Sequence, residues 1–340
     1  MKFEEVIEQG KQKLMSAEVV ESISLTQNGQ SIHPSLPGLG WTGNGETYHN
    51  NRRELEKYFI EHQTITDHFT PETTTSLFGI QTKTPILAAP MSGIKTSLRD
   101  QVNETEFIQS ILTGCASVGS IGACGDSYDT SNGYLAADVI EITSGIAVIK
   151  PRSLEEIEKR ILMLAKTENI VAIGIDLDGV TGLMLEEGKV SKKNKDDLRH
   201  MRNLFQGPMF LKGILSVEDA IIAHELGFDA ISVSNHGGRA IDRAPASAHV
   251  LPAIAEAVKG KITILADGGI RDGFDAFVYL ALGADAVMVG RTVLYGAVGG
   301  GANGVATVIK KLTSDLSKAM LMSGCHDISE IQTTSIQKYN

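Results

Sequence analysis

Cysteine is scarce in this chain. Only Cys115, Cys124 and Cys325 occur among 340 residues, with no CxxC spacing, which argues against a disulfide framework or a thiolate metal site. No leader joins a basic start to an apolar run, so the sequence reads as that of a protein of the reducing cytoplasm. No apolar stretch looks long enough to cross a bilayer, and no membrane span is expected. Basic residues are in the minority, 31 Lys and Arg against 41 Asp and Glu for a net charge of -10, so nucleic acid and anionic lipid are poor partners. The histidines lack HxxxH spacing and no Gly-x-Ser-x-Gly elbow occurs, which leaves no sequential support for a metal centre and little for a serine hydrolase.

Glycine, by contrast, is abundant at 35 residues, and 42% of the chain is hydrophobic, enough for one large core. Residues 1–60 are polar, with an amphipathic helix expected near Phe3 to Leu14, a Pro/Gly-rich connector from Pro34 to Trp41, and a short charged helix from Asn51 to Phe59. Pro71 to Gly79 reads as an extended segment closing in a turn. Short apolar runs then recur at Pro85–Ala89, Val118–Gly122, Ile146–Lys150, Ala172–Asp178, Met209–Lys212, Ala230–Asn235, Ile262–Ala266 and Ala286–Val289, each followed by a helical pattern. Eight strand–helix units predict a TIM (β/α)8 barrel over residues 81–325, with an N-terminal extension and cap over 1–80 and a tail over 326–340. Ser153 and Ser216, each with an acidic residue three positions on, mark helix starts. The charged run from Glu186 to Asp197 reads as a solvated face or a cover for the barrel mouth.

In a parallel barrel the residues at strand C-termini converge on one face, so polar groups ending these strands form the candidate site. They are Lys150, Asp176 with Asp178, Lys212, His236 with Arg239, Asp267 with Arg271, and Arg291. His236 can take a proton near neutral pH and Arg239 can grip a carboxylate, a pairing suited to a small acid that must lose a proton. The seventh and eighth runs end in Asp267-Gly-Gly-Ile-Arg271 and Gly290-Arg291, where glycines let backbone amides approach an anion and the arginines supply charge. Lys212 lies within an apolar run, where a charge is costly unless something anionic meets it; on the pleat it shares a face with Phe210 and Ile214 and points inward. Asp176 and Asp178 also share a face, and His236, Lys212 or Lys150 can balance them.

Ser234-Asn-His-Gly-Gly-Arg239, with Pro245-Ala-Ser247, Asp267-Gly-Gly-Ile-Arg271 and Gly290-Arg-Thr-Val-Leu-Tyr-Gly296, resembles the FMN-dependent α-hydroxy-acid oxidases and dehydrogenases, the lactate and glycolate oxidase-like enzymes. The likeness extends more loosely through Asn51-Arg52, Thr73 to Gly79 and Pro85-Ile-Leu-Ala-Ala-Pro90. It implies a barrel holding FMN through Ala89, Pro90, Met91, Ser92, Lys150, Asp176, Lys212, Ser234, Asp267, Gly268, Gly269, Arg271, Gly290 and Arg291. It also implies His236 as catalytic base, Asp178 paired with it, Arg239 on the substrate carboxylate and Lys212 beside the flavin. A slip of two residues would exchange Asp176 and Asp178. The implied reaction is oxidation of a small 2-hydroxy acid, with oxygen or another carrier as electron acceptor, in a homo-oligomer that is a tetramer in this family. An isoprenoid-isomerase-like or other dehydrogenase activity on the same barrel is the alternative, as is a flavin- or phosphate-binding protein without turnover.

The departures concern the substrate. The family's N-terminal tyrosine has no match in Pro34 to Gly45, and the aromatic-bearing third strand is replaced by Ile146-Ala-Val-Ile-Lys-Pro151. The second strand ends in Gly122-Ala-Cys-Gly-Asp126 in place of paired serines, and Gly179-Val-Thr-Gly182 replaces an arginine-containing tail. Plain lactate is therefore not the expected preference, and Lys150 is a candidate second cation.

Overall fold

Strands that are buried on both faces are apolar along their whole length, and this is the pattern of the chain's short hydrophobic runs. In the computed structural model, which describes residues 1–15, 40–94, 102–127, 134–181 and 190–339, they form eight parallel strands. These are β1 (Ile86–Ala88), β2 (Ala123–Cys124), β3 (Gly145–Ile149), β4 (Ile170–Asp176), β5 (Met209–Ile214), β6 (Ala230–Val233), β7 (Thr263–Ala266) and β8 (Ala286–Val289). Each pairs with its sequence neighbour from β2 to β8, and β8 pairs with β1. The remaining seam is drawn together by a parallel bridge between Met91 and Cys124, by the Ala88 N–H donating to the Ile121 carbonyl at 3.2 Å, and by the Gly125 N–H donating to that of Met91 at 3.2 Å. The result is a TIM barrel.

Alternation along the strands divides the apolar residues into two layers. Leu87, Ile146, Val148, Ala172, Phe210, Leu265 and Met288 belong to one buried cluster, while Ile86, Ala88, Ala147, Ile149, Ile173 and Leu211 belong to another, shared with the surrounding helices. The hairpin Thr75–Leu77/Ile80–Thr82 closes the strands' N-terminal end, with Leu77 and Phe78 packed on the first cluster and Phe78 stacked on Phe210 at 6.2 Å. Ser153, Ser216, Asn103 and Asp272 cap their helices by accepting backbone N–H bonds. The first helix, Phe3–Leu14, lies against Arg291–Ser323 at backbone distance: a Cβ on Gly10 would stand 2.2 Å from the Tyr295 carbonyl oxygen, and one on Gly299 2.1 Å from that of Val6.

Several elements depart from the sequence reading. The second strand is Ala123–Cys124; Val118–Gly122 is the turn and approach that follow the helix Glu104–Ala116. The charged helix runs over Glu46–Leu55, and Tyr58–Ile60 is a strand paired antiparallel with Ile336–Lys338. Ile214 does not share a face with Lys212, because the β5–β6 register breaks between them at Gly213 (φ 98°) and Ile214 joins the outer cluster. A Cβ at Gly213 would meet the Asp178 side chain at 2.8 Å, so the irregularity makes room for that carboxylate. Asp178 itself lies beyond β4, in a 3-10 turn over Asp178–Thr181. The helix Arg291–Ser323 is long and apolar enough to cross a membrane by length and composition, contrary to expectation, but 72% of its most apolar window is buried and its backbone leaves helical geometry at Gly300 and Gly301. Pro34 to Leu39, Glu186 to Lys189 and Gly182 lie outside the described residues.

Candidate active site

The barrel's register sets the site. Asp176 ends β4 opposite Lys212 on β5, and Lys212 stands opposite Ser232 on β6. Ile149 pairs with Ile175, so Lys150 emerges from β3 level with Asp176. A row of alternating charge, Lys150, Asp176 and Lys212, thus crosses three neighbouring strands at the mouth. Lys212 is buried, with its Nζ 3.3 Å from Asp176 Oδ1, 3.9 Å from Asp178 Oδ1 and 3.4 Å from His236 Nδ1. Burial alone would lower its pKa; Asp176, Asp178 and Asp267 outweigh it and hold the ammonium charged far above its usual range. Asp176 is likewise buried, yet Lys212 and His236 keep its carboxyl well below the usual range. At Asp178 burial wins over the same two partners, and its pKa is raised.

His236 occupies the turn after β6. Its φ of 57° is left-handed, as are those of Gly237 (62°) and Gly238 (84°), and this run turns the chain sharply at the strand end. Its N–H donates to Ser234 Oγ at 3.1 Å, and the Ser234 hydroxyl donates to Asp267 Oδ1 at 2.9 Å. Its Nδ1 faces Asp178 Oδ1 at 3.1 Å and Asp176 Oδ1 at 3.6 Å. An ionised carboxylate only accepts and the Lys212 ammonium, 3.4 Å from the same Nδ1, only donates; the shorter Asp178 contact favours a proton on Nδ1 and a lone pair on Nε2, where the ring can act as a base. The ligand atoms of Asp176, Asp178 and His236 lie within 4.8 Å of one another, the spacing of a metal site, but the Lys212 ammonium already brings a positive charge among them.

A second cluster follows β7 and β8. Gly268 (φ 118°) and Gly269 (φ 82°) lie against Asn51, while Arg52 donates to the Gly269 carbonyl at 2.8 Å. Arg271 Nη2 donates to the Tyr48 hydroxyl at 3.1 Å, and Arg291 lies over the Tyr48 ring at 4.4 Å while donating to the Gly237 carbonyl at 2.9 Å. Burial and the neighbouring charges of Arg271 and Arg239 push the Arg291 guanidinium down to about 10, in spite of Tyr48. Three arginines gathered in this way favour an anion. Gly290 presents its backbone openly: the nearest atom to a Cβ placed there would be the Ala89 methyl at 3.9 Å. Ala89 donates to the Val289 carbonyl at 3.0 Å, and Met91 bridges to Cys124; Pro90 and Ser92 lie on the same β1 lip.

The β2–β3 wall differs in kind. Asp126 receives Arg152 through two bonds, Nε at 2.6 Å and Nη2 at 3.0 Å, with Arg160 Nε at 3.5 Å. The Lys150 N–H donates to Asp126 Oδ2 at 3.2 Å, and burial lowers the Lys150 ammonium's pKa against the pull of Asp176 and Asp126. Sequence reasoning did not single out Arg152, Arg160 or Tyr48, nor the reciprocal amide pair of Asn51 and Asn235, with N–O distances of 2.9 and 2.7 Å. A signal for the last existed: Thr47, Asn51 and Glu54 form a buried polar stripe at helical spacing.

The family model described as FMN-dependent dehydrogenase matches residues 39–181 and 181–338. The chain belongs to this family. It is 30% identical over 320 residues to the L-lactate oxidase of Lactobacillus jensenii, covering 86% of this chain and 78% of that protein. A shorter match, 46% identical over 142 residues, joins it to the L-lactate dehydrogenase of Xanthomonas campestris pv. campestris (strain B100), covering 42% of this chain and 37% of that one. Among solved structures, a putative lactate oxidase of Pediococcus acidilactici superposes with a TM-score of 0.81 at 25% identity, covering all of this chain and 95% of that one. A mandelate oxidase superposes with a TM-score of 0.80 at 22% identity over 99% and 98% of the two chains and shares the fold. FMN is the family's cofactor, and the gathered arginines and open glycines after β7 and β8 fit its phosphate.

Proposed function

We propose that this FMN-dependent dehydrogenase family member oxidises a small 2-hydroxy acid to the 2-oxo acid. The observation that carries the reading is the His236–Asp178–Lys212 constellation, with its Nδ1 contact of 3.1 Å, on the same lip as Arg239. FMN supplies the two-electron acceptor that takes the α-hydrogen as hydride. Arg239 would hold the substrate carboxylate, and His236 would remove the hydroxyl proton at Nε2. Asp178 would steady the imidazolium formed, a general-base arrangement that contributes on the order of a hundred- to ten-thousandfold. Lys212, held in place by Asp176, would balance the negative charge that the cofactor gains. Arg271, Arg291 and the backbone of Gly268, Gly269 and Gly290 would bind phosphate, with Asp267 and Ser234 bracing the histidine turn and Ala89 to Ser92 lining the cofactor's side of the mouth.

The names of the lactate oxidase and lactate dehydrogenase relatives support a hydroxy-acid substrate. The same reading has oxygen or another carrier receiving the electrons, a homo-oligomer working in the cytoplasm, and residues 1–80 and 326–340 serving as arm and tail to a barrel over 81–325. The test is anaerobic mixing of the purified flavoprotein with glycolate, lactate, mandelate, malate and longer 2-hydroxy acids. Bleaching of the flavin absorbance by at least one is expected, and a flavin that stays oxidised with all of them refutes the reading.

A further inference from the structure

Two arginines placed side by side to receive a phosphate repel each other before it arrives, and a group that contacts both lowers the cost of holding them together. Tyr48 meets both. Its hydroxyl accepts from Arg271 Nη2 at 3.1 Å, and its ring face carries Arg291 at 4.4 Å, with the Arg271 guanidinium 6.0 Å from the ring centre. The ring is itself fixed: Trp41 stacks on it at 4.7 Å with 21° between the planes, and His49 packs edge-on at 5.0 Å. From the other side comes the turn that carries His236. A Cβ on Gly238 would stand 2.8 Å from the Tyr48 backbone nitrogen, so only glycine allows the approach, and Thr42 donates to the Gly238 carbonyl through both N–H (2.9 Å) and hydroxyl (3.0 Å). Asp242, on the same connection, accepts from the backbone of Asn44 at 2.8 Å and Thr47 at 3.1 Å, pinning the start of the helix.

We propose that Tyr48 is a positioning residue of the FMN-phosphate site, holding the guanidinium groups of Arg271 and Arg291 ready for the phosphate from the arm helix Glu46–Leu55. The proposal rests on the FMN reading above and adds to it a residue contributed by the arm. The quadrupole of the ring offsets part of the Arg291 charge, the hydroxyl orients Arg271, and the hydroxyl's own hydrogen remains to be donated to the same anion. Without Tyr48, Arg271 loses the hydroxyl that orients it and Arg291 keeps its bond to the Gly237 carbonyl but loses the ring face, so more of their ordering falls to the moment the phosphate binds, which weakens binding without changing the phosphate's contacts with the glycine backbone.

The test is titration of full-length apoprotein with FMN and, separately, with riboflavin, which has the same ring system and no phosphate, followed by quenching of flavin fluorescence. Tyr48→Phe keeps the ring and loses the hydroxyl; Tyr48→Leu loses both. The FMN Kd should rise by about three- to tenfold in the first and by more than about tenfold in the second, the scale of one and then two charge-linked contacts, while the riboflavin Kd stays unchanged in both. Equal weakening of FMN and riboflavin would make Tyr48 a merely structural residue and overturn the proposal, as would an unchanged FMN Kd in Tyr48→Phe and Tyr48→Leu when the unmodified protein prefers FMN to riboflavin. If the unmodified protein does not prefer FMN, the phosphate site at Arg271 and Arg291 falls, and Tyr48's role with it.

Discussion

The two sides of the barrel mouth are built differently. On the β6–β8 side, charge is carried on backbone turns: His236 rides three left-handed residues, and Gly268, Gly269 and Gly290 put main chain beside the arginines. On the β2–β3 side, charge is carried on side chains paired with one another, Asp126 with Arg152 and Arg160. Turns that depend on glycine and left-handed φ admit few substitutions, whereas an ion-paired wall can be rebuilt one pair at a time. The side carrying family motifs is the first, and the side that departs from them is the second. Chemistry and cofactor grip would therefore reside in the turns, and the choice of acid in the wall.

The largest effect should come from the turn side. His236→Ala is expected to retain FMN while slowing anaerobic flavin reduction by the best hydroxy acid about a hundredfold or more, and by the same factor for every acid that reduces the flavin. Stopped-flow bleaching measures it; a slowing that differs tenfold between acids would mean that the turn also selects substrate. On the wall side the largest expected change is in stability. Asp126→Ala leaves Arg152 and Arg160 facing each other in a buried place, which costs about 3–5 kcal/mol when one partner of such a pair is removed. Thermal unfolding should begin many degrees lower, and an unshifted Tm would show that Ser127 and Glu156, which also receive these arginines, suffice.

The sequence made the turn side legible because its physics is local. A strand pattern that stops at His-Gly-Gly or Asp-Gly-Gly announces a tight turn at a strand end, and an arginine just beyond it announces an anion. The eight-unit rhythm was readable for the same reason, although β2 lay just beyond its expected place because Val118 and Ile121 give Val118–Gly122 the look of a short apolar run while it serves as the approach to the strand. The wall was harder to read. Arg152 and Asp126 are 26 positions apart, and nothing in either's neighbours says that they meet. The pleat argument left His236, Lys212 and Lys150 open as partners of Asp178 and only the resemblance chose His236, since that argument assumed that β4 continued past Asp176, where the chain instead begins a 3-10 turn. Tyr48 lies on a helix expected to begin at Asn51, so its approach to two arginines more than two hundred residues away had no local sign.

A smaller effect tests what the wall does for the substrate. Lys150 feels Asp176, Asp126, Arg239 and Arg152 together, which puts it among the charges of the mouth. If it helps to receive a second anionic group, Lys150→Met should lower kcat/KM for a 2-hydroxydicarboxylate such as malate about tenfold relative to glycolate, the size of one hydrogen bond to a charged group. Equal losses for both acids would instead assign Lys150 to balancing Asp176, and the wall would then act on the charge row and not on selectivity.

The smallest effect concerns the arm that brings Tyr48 to the turn side. Glu54, on the same helix, is buried and receives Lys57 Nζ at 2.7 Å and Lys338 Nζ from the tail strand at 2.7 Å, with His249 Nδ1 at 3.7 Å. Burial would raise its pKa, but the hydrogen bonds from Lys338 and Lys57 outweigh it and hold the carboxyl below its ordinary value. A carboxyl whose folded pKa lies below its unfolded one stabilises the fold above the unfolded value, and that contribution is lost as pH falls through the folded one. Both lysines are more than a third exposed, so solvent screens the pairs and their worth is about 1 kcal/mol or less. Glu54→Gln should accordingly lower Tm by about 1–3 °C at pH 7, with the gap from the unmodified protein closing as pH is brought below about 4. A gap that stays constant through that window would mean that Glu54 holds the arm by packing and neutral hydrogen bonds, and the arm's grip on the turn side would then be independent of charge.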